Sequence, residues 1–158
     1  IIESRKRKGM FIKHRLNAFE SVRKLAAAHL FSPEEYVQFM QIRIIMEMGM
    51  ARYIWKNRTK ENICELKKLA SGKNELPSIQ QEIDFHSKLF SMGGNDIANQ
   101  FQNILISSFE YYSFPPAMIW DDNIPTHIQI CEVLESGTLE DFCNIMEKHF
   151  ECYTSDQK

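Results

Sequence analysis

SPEEYVQFMQIRIIMEMGMARYIWKN, residues 32–57, decides the fold. Ser32 is a helix N-cap residue, Pro33 suits a first turn, and Glu34 and Glu35 put acid where the helix dipole favours it. The stretch that follows is apolar nearly all round from Ile42 to Ile54, so it is expected to be the central and most buried helix. A helix of that kind needs other helices around it, which commits the body of the chain to helix-on-helix packing.

The pattern on either side agrees. Upstream, Phe19, Val22, Leu25, Ala26 and Leu30 recur close to a 3.6-residue period and predict a helix over 17–30. Residues 1–13 alternate weakly, with Gly9 before Met10-Phe11-Ile12, and read as a strand end. Downstream, Thr59 caps a helix through Leu66 and Leu69 that Gly72 ends, and Leu76-Pro77-Ser78 starts another. Gly93-Gly94-Asn95-Asp96 stops that one and caps the next, expected over 96–112 with Ile97, Phe101, Ile104, Leu105 and Phe109 inward. After a loop with Pro115, Pro116 and Pro125, two helices over about 125–135 and 139–153 finish the chain. Thr138-Leu139-Glu140-Asp141 resembles a capping box, with Asp where Glu or Gln is usual. The expected fold is all-α, an antiparallel helical bundle of six or seven helices with a short β remnant at the N-terminus.

Bulk properties narrow the function. A chain of 158 residues suffices for one domain with a real core, and 44% hydrophobic with 25% charged side chains excludes both a disordered and a membranous class. The longest apolar candidate, over 44–51, is interrupted by Glu47 and falls well short of the roughly 18 residues a membrane span needs. No apolar stretch follows the basic start, so no signal peptide is expected and the chain is placed in the cytoplasm. Cys64, Cys131, Cys143 and Cys152 lack CxxC spacing, which argues against a zinc ribbon or disulfide scaffold and suggests small buried hydrophobes. Net charge is −2 but uneven: residues 1–15 carry Arg5, Lys6, Arg7, Lys8, Lys13 and Arg15 against Glu3 alone. A basic end on an acidic body points to a polyanion near the first and a separate task for the second.

Glu82, His86, His127 and His149 are the candidate chemistry. Glu82 and His86 are four apart and share a helix face, whereas Asp84 falls on roughly the opposite one. His127 and His149 lie ten residues before and twelve after Gly137. In an antiparallel hairpin each is about 15 to 18 Å from the turn, so they come level. Imidazole and carboxylate are ligands for Zn, Ni, Mn or Fe, and an octahedral ion on four protein ligands keeps positions that a small carboxylate can take. A di-iron site is disfavoured, because it needs two Glu-x-x-His pairs and the chain has a single Glu-x-x-x-His. Arg43 can clamp a carboxylate bidentately or pair with Glu47 at i,i+4. A mononuclear metalloenzyme in a helical bundle is the alternative function, although no partnered base or nucleophile is visible; a purely structural interaction bundle is a third.

These residues carry a resemblance. Arg43-x-x-x-Glu47 with Gly49 and Ala51 after it, Glu82-Ile83-Asp84-Phe85-His86, Gly94-Asn95, and His127 with His149 together resemble the FadR-type C-terminal effector domain, FCD, of the GntR family of transcription regulators, over about residues 17–153. Arg7-Lys8-Gly9-Met10-Phe11-Ile12 is similar to the last strand of the winged-helix wing before that domain, so residues 1–13 are expected to be a wing remnant and 14–158 the ligand-binding and dimerisation domain. The resemblance implies a non-enzymatic, metal-dependent sensor. It acts as a homodimer, binds a small carboxylate effector and reaches operator DNA through an N-terminal winged helix. Family members that bind metal use an acid and three histidines, which fall on Glu82, His86, His127 and His149; the family usually has Asp where this chain has Glu82.

Overall fold

The computed structural model describes residues 2–5, 9–12, 32–70, 77–109 and 123–154. Strands β1 (Ile2–Arg5) and β2 (Gly9–Ile12) pair antiparallel, with Ile2 opposite Ile12 and Arg5 opposite Gly9. Six helices follow among the described residues: α1 (Pro33–Asn57), α2 (Lys60–Leu69), α3 (Ile79–Ser91), α4 (Asp96–Phe109), α5 (His127–Ser136) and α6 (Leu139–Thr154). The fold is the expected all-α bundle with a short β segment before it. The helix expected over 17–30, the Gly72 stop and the Pro115-Pro116 loop lie outside the described residues.

Local chemistry sets most boundaries. Ser32 and Glu35 form a capping box at the start of α1, Ser78 and Gln81 at α3, and Thr126 and Gln129 at α5. Thr138 and Asp141 do the same for α6: Asp141 Oδ2 accepts from Thr138 N at 2.9 Å, and Thr138 Oγ1 accepts from Asp141 N at 3.1 Å. The shorter acid therefore serves. Asn95 caps α4 by accepting from the amides of Ile97 and Ala98. Gly94, at φ +71°, makes the left-handed turn out of α3 that a side chain would strain.

α1 packs on α3, α4 and α6, α2 on α3 and α5, and α5 folds back on α6 through Gly137 and Thr138. The core gathers Ala51 and Ile54 from α1, Leu66 from α2, Phe85 and Leu89 from α3, Ile130 and Leu134 from α5, and Phe142 and Met146 from α6.

Three sequence expectations need correction. α1 is not buried all round: Ile42, Ile45 and Tyr53 are exposed, because α3, α4 and α6 leave one side of it open. On α4, Ile97 and Phe101 point outward and Gln102 inward. Gln102 Nε2 donates to the His86 carbonyl at 3.2 Å, which satisfies the amide that this rotation of the helix buries against α3. Finally, Cys64 is exposed rather than buried, since its place on α2 faces away from α3 and α5; all four cysteines are free.

Candidate metal centre

The first turn of α3 sets Glu82 and the next sets His86, one turn apart on the face turned to the core. His127 is the first residue of α5, held there by the Thr126 cap, and His149 sits near the end of α6. Because α5 and α6 run antiparallel, the two rings come level, with centroids 5.1 Å apart. Both stand 5.3 Å from the ring of His86. One ligand-type atom from each of Glu82, His86, His127 and His149 lies within 4.8 Å of all the others, and all four residues are buried. A single ion with bonds of about 2.0 to 2.2 Å spans ligand atoms roughly 3 to 4.4 Å apart. Only a small contraction is needed for the four to share one.

Hydrogen bonds at the outer edge of the cluster decide what its inner edge offers. His86 Nδ1 donates to Glu47 Oε2 at 2.7 Å, and His149 Nδ1 donates to the Pro125 carbonyl at 2.8 Å. Neither partner can donate, so in the neutral rings each Nε2 carries a lone pair. Those two Nε2 atoms face each other at 3.2 Å. Facing lone pairs repel unless a proton or a metal cation lies between them. Glu82 adds a carboxylate: Oε2 is 3.4 Å from His86 Nε2, and Oε1 is 3.1 Å from His127 Nε2 but off the line of a hydrogen bond. The ring of His127 is stacked 3.9 Å from that of Phe85, which fixes its plane. Three imidazole nitrogens and one carboxylate oxygen suit a first-row divalent ion, so the residues present fit one.

The electrostatics agree with that donor set at His127 and His149, while His86 is drawn the other way by Glu47. Burial lowers the pKa of His149 to about 3, with the charges of His86 and His127 pushing the same way, and burial lowers that of His127 as well. Both rings are thereby kept in the neutral form that ligates. Burial also opposes charge on His86, but the Glu47 carboxylate against its Nδ1 outweighs it and the pKa rises. Burial disfavours the charged Glu82, yet the ring nitrogens of His127 and His86 beside it, at 3.1 and 3.4 Å, hold the group well below the usual carboxylate range. Glu47, buried too, is brought down to about 2 by His86 and Arg43.

Arg43 is buried, and its Nε donates to Glu47 Oε1 at 2.8 Å. The i,i+4 pairing is therefore formed, and Arg43 meets the cluster through Glu47 as a chain Arg43, Glu47, His86. Two supports escaped the sequence reading. In sequence Glu47 stands out as the i,i+4 partner of Arg43 and as part of the Arg43-x-x-x-Glu47 motif, with nothing that links it to His86. Tyr153 Oη donates to Glu82 Oε2 at 2.8 Å, and its one sequence signal is a place four residues after His149 on the same face of α6. Asp84 is exposed and accepts from Gln80 Nε2, so it takes no part.

The family model of the FCD domain matches residues 38–151, from early α1 to the end of α6. No curated protein and no solved structure matches the chain.

Proposed function

The chain belongs to the FCD domain family, the effector-binding domain of GntR-type regulators, and from that premise we propose that it is the sensing and dimerising part of a bacterial transcription regulator. Glu82, His86, His127 and His149 hold a divalent ion, Zn, Ni or similar. When bound, the ion supplies a Lewis-acidic position that a small carboxylate effector can fill. Phe85 and the two Nδ1 hydrogen bonds hold the rings in place before the ion arrives, which lowers the cost of assembling the shell. Arg43, beside Glu47 and over the ring of Tyr153, supplies positive charge on the effector's side.

Coupling to DNA requires the effector to favour one arrangement of a homodimer over another, since equal binding to both shifts nothing. In this reading the β1–β2 hairpin is the end of a winged-helix wing, through which operator DNA is reached. The domain has no catalytic role. No described helix is long and apolar enough to cross a membrane, which is compatible with a cytoplasmic regulator.

The observation that carries this reading is the pair of imidazoles already turned by Glu47 and Pro125 so that both Nε2 atoms face one point. The test is elemental analysis of protein purified without chelator, followed by thermal melting of stripped protein with Zn or Ni and then with a panel of small carboxylates. About one equivalent of metal and a carboxylate-dependent rise in melting temperature only in the loaded protein are expected. No bound metal, together with melting unchanged by added Zn or Ni, removes the site.

A further inference from the structure

Both oxygens of Glu82 border the histidine cluster, and something must decide which of them meets an ion. Oε1 lies beside His127 Nε2 at 3.1 Å and has no hydrogen-bond partner among the described residues. Oε2 lies beside His86 Nε2 at 3.4 Å and accepts the hydroxyl of Tyr153 at 2.8 Å. That hydroxyl is not loosely held. The Tyr153 ring packs against Met40 with Ile79 and Ile83, is tilted 6.2 Å from the ring of Phe150, and has the Arg43 guanidinium 5.3 Å from its centroid. It stands one turn beyond His149 on α6, so the same helix face delivers a ring nitrogen to the cluster and a donor to the carboxylate.

From this arrangement we infer that Tyr153 is a positioning and specificity residue of the metal site: by occupying Oε2 it makes Glu82 a one-oxygen ligand through Oε1. The inference rests on the metal-binding reading above. Glutamate is a flexible ligand with three rotatable bonds, and left alone it can offer one oxygen or both. An ion such as Zn is satisfied by four or five ligands, whereas Mn is larger and prefers six, with more oxygen among them. Holding back one carboxylate oxygen therefore favours the smaller ion.

The test is competitive titration of metal-stripped protein against a chromophoric chelator, with Zn and Mn separately, for the native chain, Tyr153→Phe and Glu82→Asp. Tyr153→Phe keeps the ring and its packing, and an unchanged melting temperature without metal is its control; Tyr153→Met removes the hydroxyl by another route should the phenylalanine variant fold poorly. Losing the hydroxyl is expected to weaken Zn by about 10 to 100-fold, the range for an outer-shell partner, and Mn by clearly less, so that the Zn-to-Mn affinity ratio falls. In the Glu82→Asp background, where the shorter acid draws away from the phenol, adding Tyr153→Phe should change Zn affinity by less than about twofold, as uncoupled sites do. Equal affinities in native and Tyr153→Phe protein, or an equal loss for both metals, overturns the inference and leaves the metal site standing. If the native chain binds neither ion, the metal-binding reading itself falls.

Discussion

The two ends of this bundle are built from the same helices and stabilised in opposite ways. Toward the end of α1 the interior is Ala51, Ile54, Leu66, Leu89, Ile130, Leu134, Phe142 and Met146, all buried and all apolar. Toward its start the same α1, α3, α5 and α6 bring Arg43, Glu47, Glu82, His86, His127 and His149 inside instead. Removing apolar area from water stabilises the first end by about 25 cal/mol per Å². The second begins from a desolvation cost of several kcal/mol for each ion, returned only through partners. A protein seeking stability alone has no need of that end. Its composition makes sense as a binding site carried by the other.

The strongest way to break the comparison is Phe142→Ala. Phe142 is fully buried and its ring is tilted against that of Trp55 with centroids 6.1 Å apart, so the variant should lose about 3 to 5 kcal/mol of stability in denaturant titration. Its metal affinity should be retained in the folded fraction; a collapse there would mean the two ends are not separate. Metal addition probes the other end. At about a thousand times its dissociation constant an ion should add about 4 kcal/mol. His149→Ala should remove most of that gain, measured by melting with and without Zn.

Acid and base should then act mainly on the polar end of stripped protein. His149 and His127, shifted down, refuse protons that the unfolded chain takes up below the ordinary 6.5, so stability falls as pH drops below that value. His86, shifted up, gives stability that is complete below 6.5 and lost as pH rises through its folded value. Stability should therefore peak near pH 6.5 and decline on both sides by at most about 1.4 kcal/mol per pH unit for each proton involved. A monotonic profile across that range would contradict the assignment. The smallest effect is Thr138→Ala, which removes the α6 cap and should cost about 1 kcal/mol without altering metal affinity.

Much of the fold was legible because helix ends are local events. Ser32, Thr59, Ser78, Asn95 and Thr138 each announce a start through a hydrogen bond made two or three residues away. Glu82 and His86 were readable as a pair for the same reason, and the near-equal distances of His127 and His149 from Gly137 needed only the rise of a helix and a reversal. Helix rotation was not readable in this way. The period of α4 marked Ile97 and Phe101 as inward, but the packed helix turns them out and presents Gln102 to α3 instead.

By itself, then, the sequence determined where helices begin, which side chains share a face, and that one acid and three histidines were available at compatible spacings. Tertiary structure alone decided that Glu47 would orient His86 across 39 residues, that His86 and His149 would meet across 63, and that Tyr153 would hold Glu82 across 71. A cap is fixed by chain geometry over three residues, so it is written in the local order of residues. A ring nitrogen's direction is fixed by partners on other helices, and those are settled only when the helices pack.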